Sequence, residues 1–369
     1  MLFRSVDAKL RRRILVAARA IEEGGVCPLT PRRGRPRGSL RRANTVQVIV
    51  FRREAVEPLI LSASSLSVAP LTEATTNLFF SPRFRLATDF YRHVINGIVS
   101  VLAAEGMKTV QQVRNSLTDE PFLEPFRASR DSGVLLLGEP DAQVQAFADA
   151  CVCPVVLVDI LGVAGHPVVA IDNTGGTAAA LRHLLSLGHR DIGFVGNPEN
   201  PSFRERYLSF CGGMAEAGLP VRPEWHYRGS GHIRDIADGI QPILKAKGRP
   251  TAMLCACDHY AIGVFEAARM AGLRIPQELS VIGFDDIDAA PLTAPPLSTL
   301  RVQKIELGAC AAYLLLSLSS GERNREIWRH SEIRRRTEPV VRESTGPAPS
   351  GPPTPSPRPR NGNAPAPAA

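Results

Sequence analysis

The sequence has no apolar run near the roughly 20 residues that a membrane-spanning helix needs, which excludes an ordinary transmembrane helix. Its first thirteen residues are basic, but they have neither the apolar stretch nor the small-residue cleavage site of a secretory signal. We therefore expect a cytoplasmic protein with no membrane partner.

The seven cysteines do not define a disulfide framework or a zinc site. Their number is odd, and the two closest pairs have one-residue spacing, whereas zinc ligands usually stand two to four residues apart with a second pair nearby. The eight histidines do not pair at metal-ligand spacing either, and we expect His183 and His189 to face solvent or cap helix ends. We predict free, buried, reduced thiols, no metal and no cofactor.

Motifs of catalysis are missing as well. The sequence contains no Gly-x-Ser-x-Gly elbow, no Walker phosphate loop and no Gly-x-Gly-x-x-Gly after a strand. An enzyme is therefore the interpretation with the least support among the residues.

Positive charge is what the sequence does have, and it lies at one end. The net charge is +8, and residues 1–44 hold twelve of the 44 Lys/Arg but only three of the 36 Asp/Glu. The remainder is close to neutral. This asymmetry indicates an arm that binds a polyanion, although a solvated tail without a partner has the same charge pattern.

The part from 45 to 345 alternates short apolar strands with amphipathic helices, which is typical of parallel sheets covered on both faces. Two such series occur, and they predict an α/β fold with two doubly wound lobes. Residues 52–88 have weak periodicity and are treated as an insertion, and the Pro- and Ala-rich segment 346–369 is predicted to be a disordered tail. The predicted elements are the strands 46–51, 107–113, 133–137, 154–158, 168–171, 191–195, 251–255 and 279–284, and the helices 89–105, 174–187, 202–217 and 258–271.

Polar side chains follow several of these strands. Asp159, the pair Cys257 and Asp258, and Asp285 each come directly after a predicted strand, and Arg206 lies in the helix after another. Ligands of open parallel sheets bind beyond the carboxyl ends of the strands. Carboxylates accept hydrogen bonds from hydroxyls and an arginine adds a fork of donors, so these five residues are candidates for a small polar effector. Asp258 also has the residue type of a helix cap.

The C-terminal half resembles the effector domain of the lactose-repressor/galactose-repressor (LacI/GalR) family of transcription regulators. The resemblance rests on the motifs at 169–196, 205–218, 257–286, 296–301 and 338–345, which follow in family order and spacing. It is weaker over 89–160.

This resemblance implies two Rossmann-like lobes of the periplasmic-binding-protein type, joined by three crossovers, an effector in the cleft and a homodimer. It implies an N-lobe of 45–160 plus about 293–325, and a C-lobe of 161–292 plus about 326–345. At the matching positions it implies that Arg206, Asp258 and Asp285 contact the effector. Cys257 stands where the family usually has asparagine, and a thiol is a weaker hydrogen-bonding group than an amide.

The family begins with a helix-turn-helix. Here the predicted helix Val6–Glu23, with Arg11 and Arg12, resembles only its third helix. Either an upstream segment completes the motif, or this protein contacts DNA differently from its relatives.

The segment that follows resembles an AT-hook: Arg33, Gly34, Arg35, Pro36 and Arg37 form a Gly-Arg-Pro core between basic residues. Proline keeps the backbone extended, glycine removes bulk, and arginines suit a narrow, electronegative minor groove. Our hypothesis is that this segment replaces the hinge of the family, and the alternative is a basic linker.

The sequence therefore predicts an effector-responsive, DNA-binding regulator, most simply a repressor that senses a sugar. A second hypothesis is a small-molecule sensor that has lost DNA binding and acts through a protein partner.

Overall fold

The computed structural model describes residues 45–51, 85–128, 132–229, 232–319 and 331–349. The predicted N-terminal helix, the AT-hook-like segment and nearly all of the predicted insertion lie outside these ranges. Among the described residues, no helix combines the length and the apolar content that crossing a bilayer requires.

The first lobe is built on a six-stranded, wholly parallel sheet with the strand order β11-β5-β4-β3-β1-β2, in which β11 is Glu332–Arg335. Its strands β4 and β5 are buried along their whole length, as strands covered on both faces should be. The elements of its continuous part are β1 Thr45–Phe51, α1 Arg85–Ala104, β2 Lys108–Arg114, α2 Glu120–Ala128, β3 Ser132–Gly138, α3 Ala142–Ala150, β4 Val155–Val158 and β5 Val168–Ile171.

The second lobe is built on a four-stranded parallel sheet with the order β7-β6-β8-β9. Asn200 caps the helix α5 by accepting hydrogen bonds from the backbone N–H groups of Ser202 and Phe203, which fixes where that helix starts. The elements are α4 Asn173–Ser186, β6 Ile192–Val195, α5 Pro201–Glu216, β7 His226–Tyr227, α6 Ile233–Lys245, β8 Ala252–Cys255, α7 Asp258–Ala271 and β9 Ser280–Ile282.

The chain passes between the lobes three times. It leaves the first sheet after β5, returns between β10 (Thr299–Val302) and the helix α8 (Lys304–Leu318), and leaves again between β11 (Glu332–Arg335) and β12 (Thr337–Val340). β10 and β12 form an antiparallel pair. The Asp172 backbone N–H donates to the Arg335 carbonyl at 2.8 Å, which ties the first crossover to the third.

The α/β architecture with two parallel sheets agrees with the prediction, but the pairing of two strands differs from the predicted lobe ranges. β5 and β11 belong to the six-stranded sheet, although their residues fall in the ranges assigned to the second lobe. The backbone of each strand hydrogen-bonds to a neighbouring strand of the six-stranded sheet, so the chain crosses to the second lobe only after the strand has ended. We propose that these two lobe boundaries lie after the strands, and that the boundary predicted at about 293 lies after β10, which pairs with β12 and is bridged to the segment after β9.

The histidine prediction was wrong for His189, whereas His183 is half-buried in the last turn of α4, with Nε2 at 2.9 Å from Thr345 Oγ1. His189 is fully buried, with Nδ1 at 2.9 Å from Thr251 Oγ1 and Nε2 at 2.9 Å from Ser280 Oγ and 3.0 Å from the Gly346 carbonyl. Burial lowers the pKa of His189. The same contacts correct the predicted tail, because Gly346 is held against the second lobe and Ala348 donates to the Leu187 carbonyl at 2.8 Å. Residues 350–369 lie outside the described ranges.

All six cysteines within the described residues are free thiols, as predicted. Burial is confirmed for Cys153, Cys255 and Cys310, where a thiol packs as a small apolar group, but the other three are only partly buried.

The helices α1 and α8 cross at glycines. A Cβ atom on Gly97 would overlap the Ile305 carbonyl, and one on Gly308 would overlap the Val94 carbonyl. The two backbones therefore approach more closely than any other residue type permits. This crossing fixes α8, whose first residue enters the site described below.

We expect Gly308→Ala to lower the free energy of unfolding by about 1–3 kcal/mol, because the added methyl must push the helices apart. Urea denaturation of the purified chain measures this. The matched control is Gly212→Ala in α5, where nothing lies within 4 Å of the added methyl. That change should be neutral or stabilise by about 0.5–1 kcal/mol. Equal effects of the two substitutions would contradict the role of the glycine crossing.

Candidate effector site

Carboxyl ends of strands from both lobes meet at one place. Asp159 follows β4 of the first lobe, and Asp285 and Asp286 follow β9 of the second. These are the three non-glycine residues with positive φ in the described part of the chain, at 55°, 113° and 52°. Aspartate tolerates such backbone conformations better than most residues, and positive φ is enriched at functional sites.

Arg206, from α5, is the buried centre of the site. Its side chain is 2% exposed, Nε donates to Asn173 Oδ1 at 2.8 Å, and Nη1 donates to the Ala256 carbonyl. The guanidinium carbon lies 3.6 Å from the centroid of the Phe284 ring, so the cation stacks on an aromatic face. The guanidinium is thereby held in one orientation.

Asp285 supplies the opposite charge. Its Oδ1 lies 3.6 Å from Arg206 Nη1, and its side chain keeps 16% of its surface exposed. Burial raises the pKa of Asp285 to about 6, against the opposing effects of Arg206 and Lys304. The pair is therefore open to solvent from the Asp285 side, where a ligand hydroxyl would find an acceptor beside a fixed guanidinium.

Lys304 holds the strained turn that presents Asp285. Its ammonium donates to the carbonyls of Asp285 and Asp286 at 2.7 and 2.8 Å. Asp286 itself accepts from Arg301 Nε and Arg342 Nη2, both at 2.7 Å. The turn is thus fixed on its backbone and on its second side chain.

Asp159 brings a carboxylate from the other lobe. Burial raises its pKa to about 7, since the opposing effect of Arg206 is outweighed, and the nearby negative charge of Asp285 adds to the rise. Its Oδ1 accepts a hydrogen bond from the Ile171 N–H at 3.4 Å. The charges of both carboxylates therefore interact with the Arg206 guanidinium, although the two residues follow strands of different sheets.

Asp258 occupies a more internal position than the other carboxylates. It is fully buried, and its oxygens accept from Thr299 Oγ1 at 2.5 Å and from the Ile287 N–H at 2.9 Å. Burial raises the pKa of Asp258 to about 8. Both partners belong to the segment after β9, so Asp258 anchors the loop that carries Asp285.

Cys257 is the N-cap residue of α7, and its thiol makes no capping hydrogen bond. Burial raises its pKa to about 12, with the Asp285 charge adding to the rise. The group at this position is therefore a neutral thiol.

Three residues of this arrangement were missed in the sequence: Asn173, Glu205 and Lys304. Asn173 could have been found, because it follows β5 at a strand end like the aspartates. Glu205, whose Oε2 accepts from Asn173 Nδ2 at 2.9 Å, is the neighbour of Arg206. Lys304 has no local signal.

The residues predicted to contact DNA lie outside the described ranges, so their arrangement stays a prediction. They are Arg11, Arg12, Arg33, Gly34, Arg35, Pro36 and Arg37.

Two parallel sheets joined by three crossovers, with a charged cluster contributed by both, define a two-lobed fold of the periplasmic-binding-protein type. The family model for a periplasmic-binding-protein-like domain matches residues 181–345. The chain is 30% identical over 225 residues to the HTH-type transcriptional repressor PurR of Haemophilus influenzae (strain PittEE), an alignment that covers 60% of this chain and 67% of that protein.

Solved structures share the fold. A LacI family transcriptional regulator from Mycobacterium smegmatis superposes with a TM-score of 0.63 at 20% identity, covering 82% of this chain and 99% of that one. A complex of the transcriptional regulator CelR with cellobiose gives a TM-score of 0.66 at 23% identity and covers 92% of each chain. The chain belongs to the LacI/GalR family, whose members found here are transcriptional regulators.

The raised pKa of Asp159 predicts a pH-dependent effect of Asp159→Asn. Between pH 3.8 and about 7 the folded chain keeps a proton that the unfolded chain has lost, so this carboxyl destabilises the fold progressively as pH rises through that window. The amide carries no charge at any pH. Asp159→Asn should therefore raise the free energy of unfolding more at pH 8 than at pH 5.

Urea denaturation at both pH values measures this difference. The control is Asp238→Asn, because that carboxylate is 57% exposed on α6. Its effect should be the same at pH 5 and pH 8. An effect of Asp159→Asn that is equally independent of pH would refute the assignment of a shifted carboxyl at this strand end.

Proposed function

We propose that this chain is a cytoplasmic, effector-responsive transcription regulator, acting as a repressor, in which the cleft binds a small polar ligand of the sugar class. The observation that carries the proposal is the meeting of Arg206 and Asp285 from the second lobe with Asp159 from the first. A ligand that bridges them contacts both lobes at once.

The chemistry of this cluster favours neighbouring hydroxyl groups. A carboxylate accepts hydrogen bonds from two adjacent hydroxyls, and a guanidinium held on an aromatic face donates to the ligand oxygens. The ring of Phe203 is half-buried, with its centroid 5.5 Å from the Arg206 guanidinium carbon, and it adds apolar surface for the carbon face of a sugar ring. The relative solved with cellobiose supports the same ligand class.

The proposed mechanism is a change in lobe closure. Effector in the cleft stabilises the arrangement that brings Asp159 near Arg206 and Asp285, and an effector changes an equilibrium only by its different affinity for the two states. In a homodimer the lobe movement changes the separation of the two N-terminal arms. DNA affinity and effector affinity are then coupled in both directions.

The N-terminal arm is the proposed DNA contact. The clustering of positive charge in residues 1–44 and the Arg-Pro-Arg segment at 35–37 support it. The repressor function of the PurR relative supports it as well.

The effector proposal predicts selective losses in two variants. A thermal-shift screen of pentoses, hexoses, cellobiose and nucleosides should find a compound that raises the melting temperature. Asp285→Asn and Arg206→Lys should each weaken its binding about 10- to 100-fold, because each removes a charged hydrogen bond. Isothermal titration calorimetry gives the affinities.

Two substitutions on α6 repeat the same chemical changes away from the cleft: Asp238→Asn and Arg234→Lys, whose side chains are 57% and 76% exposed. Both should bind the compound like the unmodified chain. A screen without any binder, or full affinity in Asp285→Asn, would end the proposal of a sugar-class effector in this cleft.

The DNA proposal predicts a matched contrast between two Arg-Pro-Arg segments. Substituting Arg35 and Arg37 by alanine should weaken binding to an A/T-rich duplex and reduce the salt slope by roughly one per arginine. The same substitution of Arg358 and Arg360 near the other end of the chain should change neither quantity. Fluorescence anisotropy at several salt concentrations measures both.

Binding that is unaffected by the 35/37 pair contradicts the AT-hook-like contact. Effector binding without any DNA binding would instead favour a sensor that acts through a protein partner.

A further inference from the structure

The strand β11 carries an ion pair that crosses between the lobes. Arg334 Nη1 and Nη2 each lie 2.6 Å from one oxygen of Glu205, which is a bidentate pair. Arg334 belongs to the six-stranded sheet, whereas Glu205 lies on α5 of the second lobe. The two side chains are 31% and 29% exposed, so solvent screens the pair less than it would screen a fully exposed one.

The next residue pairs in the other direction. Arg335 forms an ion pair with Glu306 at the start of α8, which packs on the first lobe. Successive residues of a strand point to opposite faces, so these two arginines fix β11 from both sides at the third crossover. Of the two pairs, only Arg334–Glu205 reaches the helix that carries the effector arginine.

The pair continues into the effector site through one amide. Glu205 Oε2 accepts from Asn173 Nδ2 at 2.9 Å, and Asn173 Oδ1 accepts from Arg206 Nε at 2.8 Å. Asn173 is fully buried. Its amide has one possible orientation, because the carboxylate only accepts hydrogen bonds and the guanidinium only donates them.

The charge state of Glu205 agrees with this arrangement. Burial by itself would raise its pKa, but the hydrogen bonds from Arg334 and Asn173 hold the pKa of Glu205 below its usual value. The carboxylate therefore stays ionised and keeps the Asn173 amide nitrogen turned toward itself.

We propose that Arg334 is a positioning residue for the effector site: through Glu205 and Asn173 it orients the guanidinium of Arg206, and so links the third crossover to the ligand-binding arginine. The four side chains form one polar chain from β11 to the cleft. The biological meaning of the link rests on the proposed function, but the link itself involves neither ligand nor DNA.

The test observes the Arg206 Nε–H directly in the full chain. Labelling arginine with ¹⁵N at Nε gives a side-chain resonance for Arg206, assigned by its loss in Arg206→Lys. In the unmodified chain its hydrogen should exchange with water far more slowly than that of Arg234, whose side chain is 76% exposed. Arg334→Met should accelerate the Arg206 exchange about tenfold or more, because a hydrogen bond to a charged group loses its fixed acceptor.

Two further variants separate the roles of charge and geometry. Arg334→Lys keeps the charge but loses the bidentate fork, and should give an intermediate exchange rate. It also provides a folded variant should Arg334→Met prove too unstable to measure. Arg336→Met, two residues further along the chain and exposed, should leave the exchange rate unchanged.

The exchanged pair Glu205→Arg with Arg334→Glu gives the sharpest test. It restores the ion pair between the lobes but places a donor beside Asn173. The amide must then turn its oxygen toward residue 205 and its nitrogen toward Arg206, so the Arg206 Nε–H should stay unprotected. If the ion pair only joined the two lobes and did not orient Asn173, this exchange would restore the slow exchange of the Arg206 Nε–H.

The proposal is overturned if Arg206 keeps its slow exchange in Arg334→Met, or if the exchanged pair restores that protection. Neither result depends on finding an effector or on DNA binding. Failure of the link and failure of the proposed function can therefore be told apart.

Discussion

The structure of this site depends on one buried charge. The Arg206 guanidinium is almost wholly removed from water, and an unpaired charge in that position would destabilise the fold by several kcal/mol. Asp285 compensates the charge, while Asn173, the Ala256 carbonyl and the Phe284 face fix its orientation. The loops and crossovers around it can be understood as the means by which these partners are kept in place.

The turn at Asp285 is the clearest example. A φ of 113° is unfavourable for any residue with a side chain, so the surrounding structure must hold it. Lys304 donates to both carbonyls of the turn, and Asp258 accepts from the backbone just after it. Lys304 also begins α8, whose glycine crossing with α1 sets its position. The glycine crossing in the first lobe therefore supports a carboxylate of the second.

Sequence patterns predicted the parts of this arrangement that are local. The bounds of β5 and α7 were predicted correctly, because a four-residue apolar strand and a capped amphipathic helix are encoded within a few residues. Asp159 and Asp285 were selected by the rule that ligands bind beyond strand ends, and the structure brings both within electrostatic range of Arg206. The rule uses only the position of a residue in the chain and not the direction of its side chain. It could therefore not distinguish Asp258, which anchors a loop, from the aspartates that face the cleft.

Contacts between distant segments could not be predicted in this way. His189 was expected at the surface, yet its partners Ser280 and Gly346 are 91 and 157 residues away in the chain. Arg334 and Glu205 are separated by 129 residues, and nothing in the arginine-rich run around β11 distinguishes the one that pairs across the lobes. Because Arg334 and Glu205 are so far apart in the chain, their contact depends on how the two lobes are placed. An ion pair between residues so far apart in the chain forms only when the two lobes are correctly placed. Here that pair is connected to the buried Arg206 through the hydrogen bonds of the Asn173 amide.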